Sequence, residues 1–169
     1  NNTIRNNTIS LNKTYSNTFG IYSNASHSAT VVTVTADASS ANGANSDNNV
    51  YGNTISDVNL GIAFIGSGNA GFMDIGNDIG GAAAGTGNTI SNWGGFVAAS
   101  SFVSNSSSCY GILINNQKSE NVSFNAIVSA ILSGTPEQVH GILKSYSINP
   151  TGTFTSGINN NVSPRYFSV

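Results

Sequence analysis

Asn7-Thr8-Ile9-Ser10 is repeated letter for letter at Asn53–Ser56 and again at Asn88–Ser91, and a degenerate copy, Asn-Ala-Ile-Val, stands at Asn125–Val128. The copies lie 46, 35 and 37 positions apart. One short strand-like unit recurring at such a spacing is the signature of stacked repeats, each too small to bury its own apolar face. Three positions before the Asn stands an aliphatic residue in most copies: Ile4 before Asn7, Val50 before Asn53, Val122 before Asn125. The third copy has Gly85 at that position, before Asn88 and Ile90. Two apolar residues five apart cannot share a face of one continuous strand, because side chains alternate with period two. A bend between them resolves the conflict, and Asn suits a bend because it tolerates left-handed backbone angles.

Further apolar segments follow each unit. Gly20-Ile21, Gly61-Ile62, Gly95-Phe96 and Ala130-Ile131 form one set. Val31–Thr35, Phe72–Ile75, Gly111–Ile114 and Gly141–Leu143 form the next. Between them lie turn-forming runs such as Ala38–Asn49 and Ser104–Ser108. No segment sustains helical periodicity, and Pro136–Lys144 reads as a strand because Gly141 interrupts it. The expected fold class is therefore all-β, with short parallel strands around one core. Equivalent Asn residues, Asn7, Asn53, Asn88 and Asn125, would stand above one another about 4.8 Å apart and form an amide ladder. Ile9, Ile55, Ile90 and Ile127 would form an aliphatic ladder inside. Trp93 and Phe19, Phe64, Phe96 and Phe102 would fill wider corners.

The stretch IGGAAAGTGNTISNW, Ile79–Trp93, resembles the repeat of right-handed parallel β-helix proteins of the pectin-lyase-like superfamily; GNTISDVNLGI and NVSFNAIVSAI are variants of it. The resemblance implies a right-handed parallel β-helix, a solenoid of about four to five coils with long loops. The coils would occupy residues 1–157, and residues 158–169 would be a C-terminal tail, either a partial cap or the start of a next coil. Pro164 and Arg165 would discourage edge pairing there, while Tyr166 and Phe167 could cover the core. The superfamily holds lyases, glycosidases and non-catalytic adhesins, so the likeness speaks to fold and not to activity. Asn- and Thr-rich versions resemble large bacterial secreted or cell-surface proteins, including cargo of the type IX secretion system.

Composition narrows the functions. Charged residues make up only 7% of the chain and the net charge is −2, which disfavours nucleic acid and anionic membrane surfaces as partners. No apolar run reaches the length of about 18 residues that spans a bilayer. Cys109 is the only cysteine, which excludes an internal disulfide and suits a small buried apolar side chain.

A lyase needs a base and often carboxylates that hold calcium, and an inverting hydrolase needs paired carboxylates. Five Asp, two Glu, three Lys and two Arg are present to supply them. Asp74 and Asp78 form the densest acidic group, with Asp57 a candidate neighbour, and Asp74, Asn77 and Asp78 are the weak candidate calcium ligands. His140 and Lys144, with Glu137, form the mixed acid–base cluster. On a regular strand, His140 and Lys144 face one side, and a bulge at Gly141 reverses His140. Each of these groups also reads as an ordinary solvated turn or strand residue, and no cofactor is expected. Thr8, Thr54 and Thr89 align as a hydroxyl row that Ala126 breaks. The expected role is a non-catalytic β-helical segment presenting a binding surface to polysaccharide or a cell-surface glycan. The alternatives are a polysaccharide lyase or glycoside hydrolase, and cargo of a secretion or outer-membrane complex. Further coils of the same chain are expected to flank it.

Overall fold

The computed structural model describes residues 1–13, 18–25, 38–94, 108–129 and 138–162. Among them the chain is all-β apart from two single-turn 3-10 helices, Ala41–Gly43 and Ala84–Thr86. No helix among the described residues is long and apolar enough to cross a membrane. The chain opens with β1 (Thr3–Arg5), β2 (Thr8–Ser10) and β3 (Phe19–Asn24). The trio recurs as β4 (Asn49–Tyr51), β5 (Thr54–Val58) and β6 (Leu60–Ile65), followed by the short β7 (Asp74–Ile75). It recurs again as β8 (Asp78–Ile79), β9 (Thr89–Trp93) and β10 (Ser108–Asn115), followed by the short β11 (Gln117–Lys118). A fourth round is β12 (Asn121–Ser123), β13 (Ala126–Ser129) and β14 (Gln138–Ser145), and β15 (Gly157–Asn159) opens a fifth.

The first strands of the rounds form one sheet in the order β1-β4-β8-β12-β15. The second strands form another, β2-β5-β9-β13, and the third strands a third, β3-β6-β10-β14, while β7 pairs with β11. Every pairing between these strands is parallel. The three larger sheets enclose one core, in which Val50, Ile79 and Val122 of the first sheet meet Ile55, Ile90 and Ile127 of the second and Ile62 and Ile112 of the third. Ile9 packs against this core from the first round, Trp93 and Phe64 lie buried within it, and so does Cys109. Phe19 is half-buried against a smaller cluster on the outer side of the third sheet, with Leu60, Tyr110 and Leu113. Phe96, Phe102, Val31–Thr35 and residues 163–169 lie outside the described residues.

The bends follow one local rule, and it differs from the sequence expectation. At four of the five rungs the left-handed residue is not the ladder Asn but the one before it: Asn6 (φ 56°), Gly52 (φ 61°), Phe124 (φ 59°) and Asn160 (φ 54°) precede Asn7, Asn53, Asn125 and Asn161, whereas Gly87 before Asn88 is extended (φ −64°). A second corner obeys the same rule, with Asp47 (φ 58°), Gly76 (φ 72°) and Ser119 (φ 53°) preceding Asn48, Asn77 and Glu120. The left-handed residue turns the chain, and the next side chain is thereby aimed inward. Asn is selected at the inward position for its amide.

That amide is fully used. Asn88 Oδ1 accepts from the main-chain N–H and Nδ2 of Asn53 at 3.0 and 2.9 Å. Its Nδ2 donates to Asn125 Oδ1 at 2.8 Å and to the Val50 carbonyl at 2.9 Å, and its main-chain N–H donates to Asn125 Oδ1 at 3.1 Å. The pattern runs from Asn7 through Asn53, Asn88 and Asn125 to Asn161. Asn161 extends the ladder by a rung, and β15 crosses the boundary at residue 157, since Ile158 pairs in register with Val122.

Two alignments of the sequence are corrected. The residue equivalent to Val50 in the third round is Ile79, not Gly85. Gly85 sits in the exposed 3-10 turn of an insertion between β8 and β9, and the insertion conceals the match in linear spacing. The partners of Gly20-Ile21 and Gly61-Ile62 in the third sheet are Gly111-Ile112 and Gly141-Ile142, not segments at Gly95 and Ala130. The long connections ahead of β10 and β14 displace these strands along the chain. Packing requires the glycine: a Cβ on Gly61 would lie 2.7 Å from Ile90 Cγ2 and would also collide with the Gly111 carbonyl. Ile55, Ile90 and Ile127 of the second sheet thus seat on the bare backbone of Gly20, Gly61 and Gly111 in the third.

Removing one central rung strands several buried groups at once. Asn88→Ala is expected to lower unfolding free energy by about 3 kcal/mol or more. Asn7→Ala, at the exposed end of the same column, should cost under about 1 kcal/mol. Urea unfolding of the two variants measures the difference, and equal losses would sink the ladder account.

Candidate functional site

The acidic groups expected to do chemistry are placed apart. Asp74, in β7, is fully buried; its Oδ1 accepts from the Asn45 N–H and its Oδ2 from Gln117 Nε2, both at 2.8 Å. Burial raises its pKa above the ordinary aspartate value, opposed by the bonds from Gln117 and Asn45. Asn77 is also buried and belongs to a second amide column. Asn2 Nδ2 donates to Asn48 Oδ1 at 3.0 Å, Asn48 Nδ2 to Asn77 Oδ1 at 3.0 Å, and Asn77 Nδ2 to Gln117 Oε1 at 2.6 Å. Asp78 is half-buried in β8 and accepts from Tyr51 Oη and Asn121 Nδ2 at 2.8 Å and from the Gly81 N–H at 3.0 Å. The Tyr51 hydroxyl is pushed up to about 12 by burial and then by Asp78. The oxygens of Asp74 and Asn77 thus serve protein donors in one network joined through Gln117, and those of Asp78 serve donors in another. Among the described residues no three His, Cys, Asp or Glu side chains gather as metal ligands would.

His140 and Lys144 also part company. His140 lies in register with Tyr110 and Lys144 with Ile114. Tyr110 belongs to the outer cluster and Ile114 to the core, so His140 and Lys144 fall against opposite faces, while the register stays continuous across the glycine with no inserted residue. His140 stacks on Tyr110 with ring centroids 5.5 Å apart. Lys144 forms an ion pair with buried Glu120, and Ser156 Oγ donates to the other Glu120 oxygen at 2.9 Å. The Lys144 ammonium lies 5.2 Å from the Tyr146 ring centroid. Glu120 occupies the inward corner position held by Asn48 and Asn77 in earlier rounds, so this pair is built into the interior of the last rounds. Glu137 lies outside the described residues.

A different surface is polar, exposed and regular. On the second sheet Thr8, Thr54 and Thr89 stand in register, and Ser10, Ser56 and Ser91 form a second row two residues on. Ile9, Ile55 and Ile90 between them point inward, so the two rows share the outer face. The Thr8, Thr54 and Thr89 side chains are exposed, and their hydroxyls bond to no described residue. Beside them, Asp57 Oδ2 accepts from Ser10 Oγ and Ser56 Oγ at 3.0 Å, Asn92 Nδ2 donates to Oδ1, and Lys13 Nζ donates to Asn92 Oδ1 at 2.7 Å. Donation from Ser56, then Ser10 and Asn92, lowers the Asp57 pKa. Asp57 and Asn92 carry left-handed backbone angles, φ 57° and 48°, which turn both side chains onto this face. Asp57 shares no partner with Asp74 or Asp78, contrary to its expected place beside them.

Sequence reasoning reached the Thr row and missed this cluster, the second amide column and Glu120. The signal for the second column is present in the chain: Asn2, Asn48 and Asn77 each stand two residues before the first aliphatic of a round, Ile4, Val50 and Ile79.

Glu120→Ala leaves a largely buried ammonium without its partner and is expected to cost about 3–5 kcal/mol. Joint replacement by Glu120→Leu and Lys144→Met should recover most of that loss in denaturant unfolding. Carboxyl NMR should find Asp74 titrating above, and Asp57 below, the ordinary aspartate value. The Asp74 contribution to stability is present at acid pH and fades as pH rises through its raised folded value; that of Asp57 is present at neutral pH and fades as pH falls through its lowered one. Comparison with protein-family models, with curated proteins and with solved structures finds no match for this chain, so the functional reading rests on its own residues.

Proposed function

We propose that this chain is a stretch of right-handed parallel β-helix of the pectin-lyase-like kind, and that it binds glycan without cleaving it. The recurrence of three sheets in fixed order and the parallel register support the solenoid. The observation that carries the function is the outer face of the second sheet. Rows of free Thr hydroxyls run beside Ser10, Ser56 and Asp57 at the repeat of neighbouring strands, about 4.8 Å. Sugar hydroxyls both donate and accept, so a flat array of hydroxyls with an exposed carboxylate at its margin offers them complementary partners. The acids and bases expected to catalyse are engaged elsewhere: Asp74 and Asp78 in amide networks, Lys144 with Glu120, His140 against Tyr110. Such a surface would act on a secreted or cell-surface protein, where polysaccharide is met.

The test is a depletion isotherm on insoluble polysaccharides: cellulose, chitin, xylan and de-esterified pectin. Retention on at least one is expected, weakened about tenfold or more by the paired changes Thr54→Val and Thr89→Val, equivalent to about 1.4 kcal/mol. Both side chains are exposed, so unfolding midpoints should be unchanged. Absence of retention on every matrix would overturn the reading. So would release of new reducing ends or unsaturated uronates at a rate lost in Asp78→Asn, which would favour the lyase or hydrolase.

A further inference from the structure

Two serine hydroxyls on the outer face of the second sheet have a fixed sense. Ser56 Oγ and, from the neighbouring round, Ser10 Oγ each lie 3.0 Å from Asp57 Oδ2. An ionised carboxylate only accepts, so each hydroxyl commits its single proton to Asp57. What the two serines keep for a ligand is their lone pairs. Asn92 takes its sense from the same group: its Nδ2 donates to Asp57 Oδ1, which leaves Asn92 Oδ1 to accept from Lys13 Nζ at 2.7 Å. Donation from Ser56, then Ser10 and Asn92, holds the Asp57 pKa below the ordinary aspartate value, so the carboxylate is ionised at neutral pH.

The backbone places Asp57 for this. Its left-handed φ of 57° interrupts the strand's alternation, so its side chain stays on the outer face while the next residue, Val58, is fully buried. Asn92 repeats the device one round on, at φ 48°, ahead of buried Trp93. The Thr8, Thr54 and Thr89 hydroxyls are different. They bond to no described residue and rotate to donate or to accept as a ligand requires. The face therefore combines adaptable hydroxyls in the Thr row with fixed acceptors at Ser10 and Ser56.

Such a face separates glycans by charge. A sugar hydroxyl brings a proton to a serine lone pair and completes the bond. A uronate carboxylate brings none at neutral pH; it sets acceptor against acceptor, beside the Asp57 charge. Lys13 is the compensating cation at this margin, and its ammonium is held by Asn92. We propose that Asp57, by fixing Ser10 and Ser56 as acceptors, makes this face select uncharged, hydroxyl-rich polysaccharide over polyuronate. Asp57 is a positioning residue that acts through the two serines. The inference rests on the glycan reading and names the ligand class for that same face.

Depletion isotherms at neutral pH test it, with the 169-residue chain on cellulose, chitin and unsubstituted xylan, all uncharged, and on de-esterified pectin. The unsubstituted protein should favour its best uncharged matrix over pectin by about tenfold or more. Asp57→Asn brings a side chain that tolerates the left-handed backbone, so the fold should survive, and the unfolding midpoint checks that it has. The new amide donates toward the serines and leaves their protons to face outward, so the preference should fall to about threefold or less. Thr54→Val should weaken retention on all matrices alike and leave the ratio unchanged. Lys13→Gln removes the cation and should widen the preference, which keeps the test decisive if Asp57→Asn does not fold. A ratio unchanged in Asp57→Asn, a preference for pectin in the unsubstituted protein, or a preference narrowed by Lys13→Gln would each overturn the selectivity and leave the glycan reading standing. Retention on none of the matrices would overturn both.

Discussion

A primary amide taken out of water must find partners for two N–H donors and an acceptor oxygen, and each one left unmade costs on the order of 1–3 kcal/mol. Everything else in this protein is arranged around meeting that requirement with other amides. Asn88 illustrates it: its side chain links the round before to the round after and also reaches the Val50 carbonyl. An arrangement of this kind tolerates no slip in register, because sliding one round by a residue breaks every rung at once. The sheets inherit their alignment from the ladder, and the isoleucine and glycine columns follow. Ile90 can seat against Gly61 only while both rounds keep the register that Asn88 imposes.

The same constraint explains how the ionisable groups are used. A repeat with only 7% charged residues supplies few acids and bases, and the interior claims several of them. Asp74 tops a network that begins at Asn48 and passes through Gln117. Glu120 replaces an amide at an inward corner, and the charge it brings is matched by Lys144 and Ser156. Among the described residues, Asp74, Asp78, Glu120 and Lys144 thus have protein partners. On the outer face of the second sheet the Thr8, Thr54 and Thr89 hydroxyls, spaced by the strand repeat, bond to no described residue.

Directionality is a second consequence of the ladder. A column of amides that each donate forward and accept backward gives the two ends opposite hydrogen-bonding character, just as aligned peptide groups do in a helix. Apolar columns carry no such sense.

Much of this was written in linear order. The identical letters at Asn7, Asn53 and Asn88 and the aliphatic residue two places on declared repeated strands, because period-two alternation with a bend is what buries Val50 and Ile55 together. The amide and isoleucine ladders follow from that reading. Equivalences across insertions did not. Ile79 stands far from Asn88 along the chain, and Gly111 is separated from β9 by a long connection, yet both fall into register because hydrogen bonding between rounds ignores the length of what loops out between. The orientation of His140 against Lys144 was likewise undecidable from spacing, since one irregular residue at a glycine reverses a strand's faces. So was the left-handed site, which falls on the residue before Asn7, Asn53, Asn125 and Asn161. Local chemistry determined which residues repeat and which face turns inward; only the tertiary pairing decided which copies meet, because a contact between rounds is a property of two distant segments and is written in neither alone.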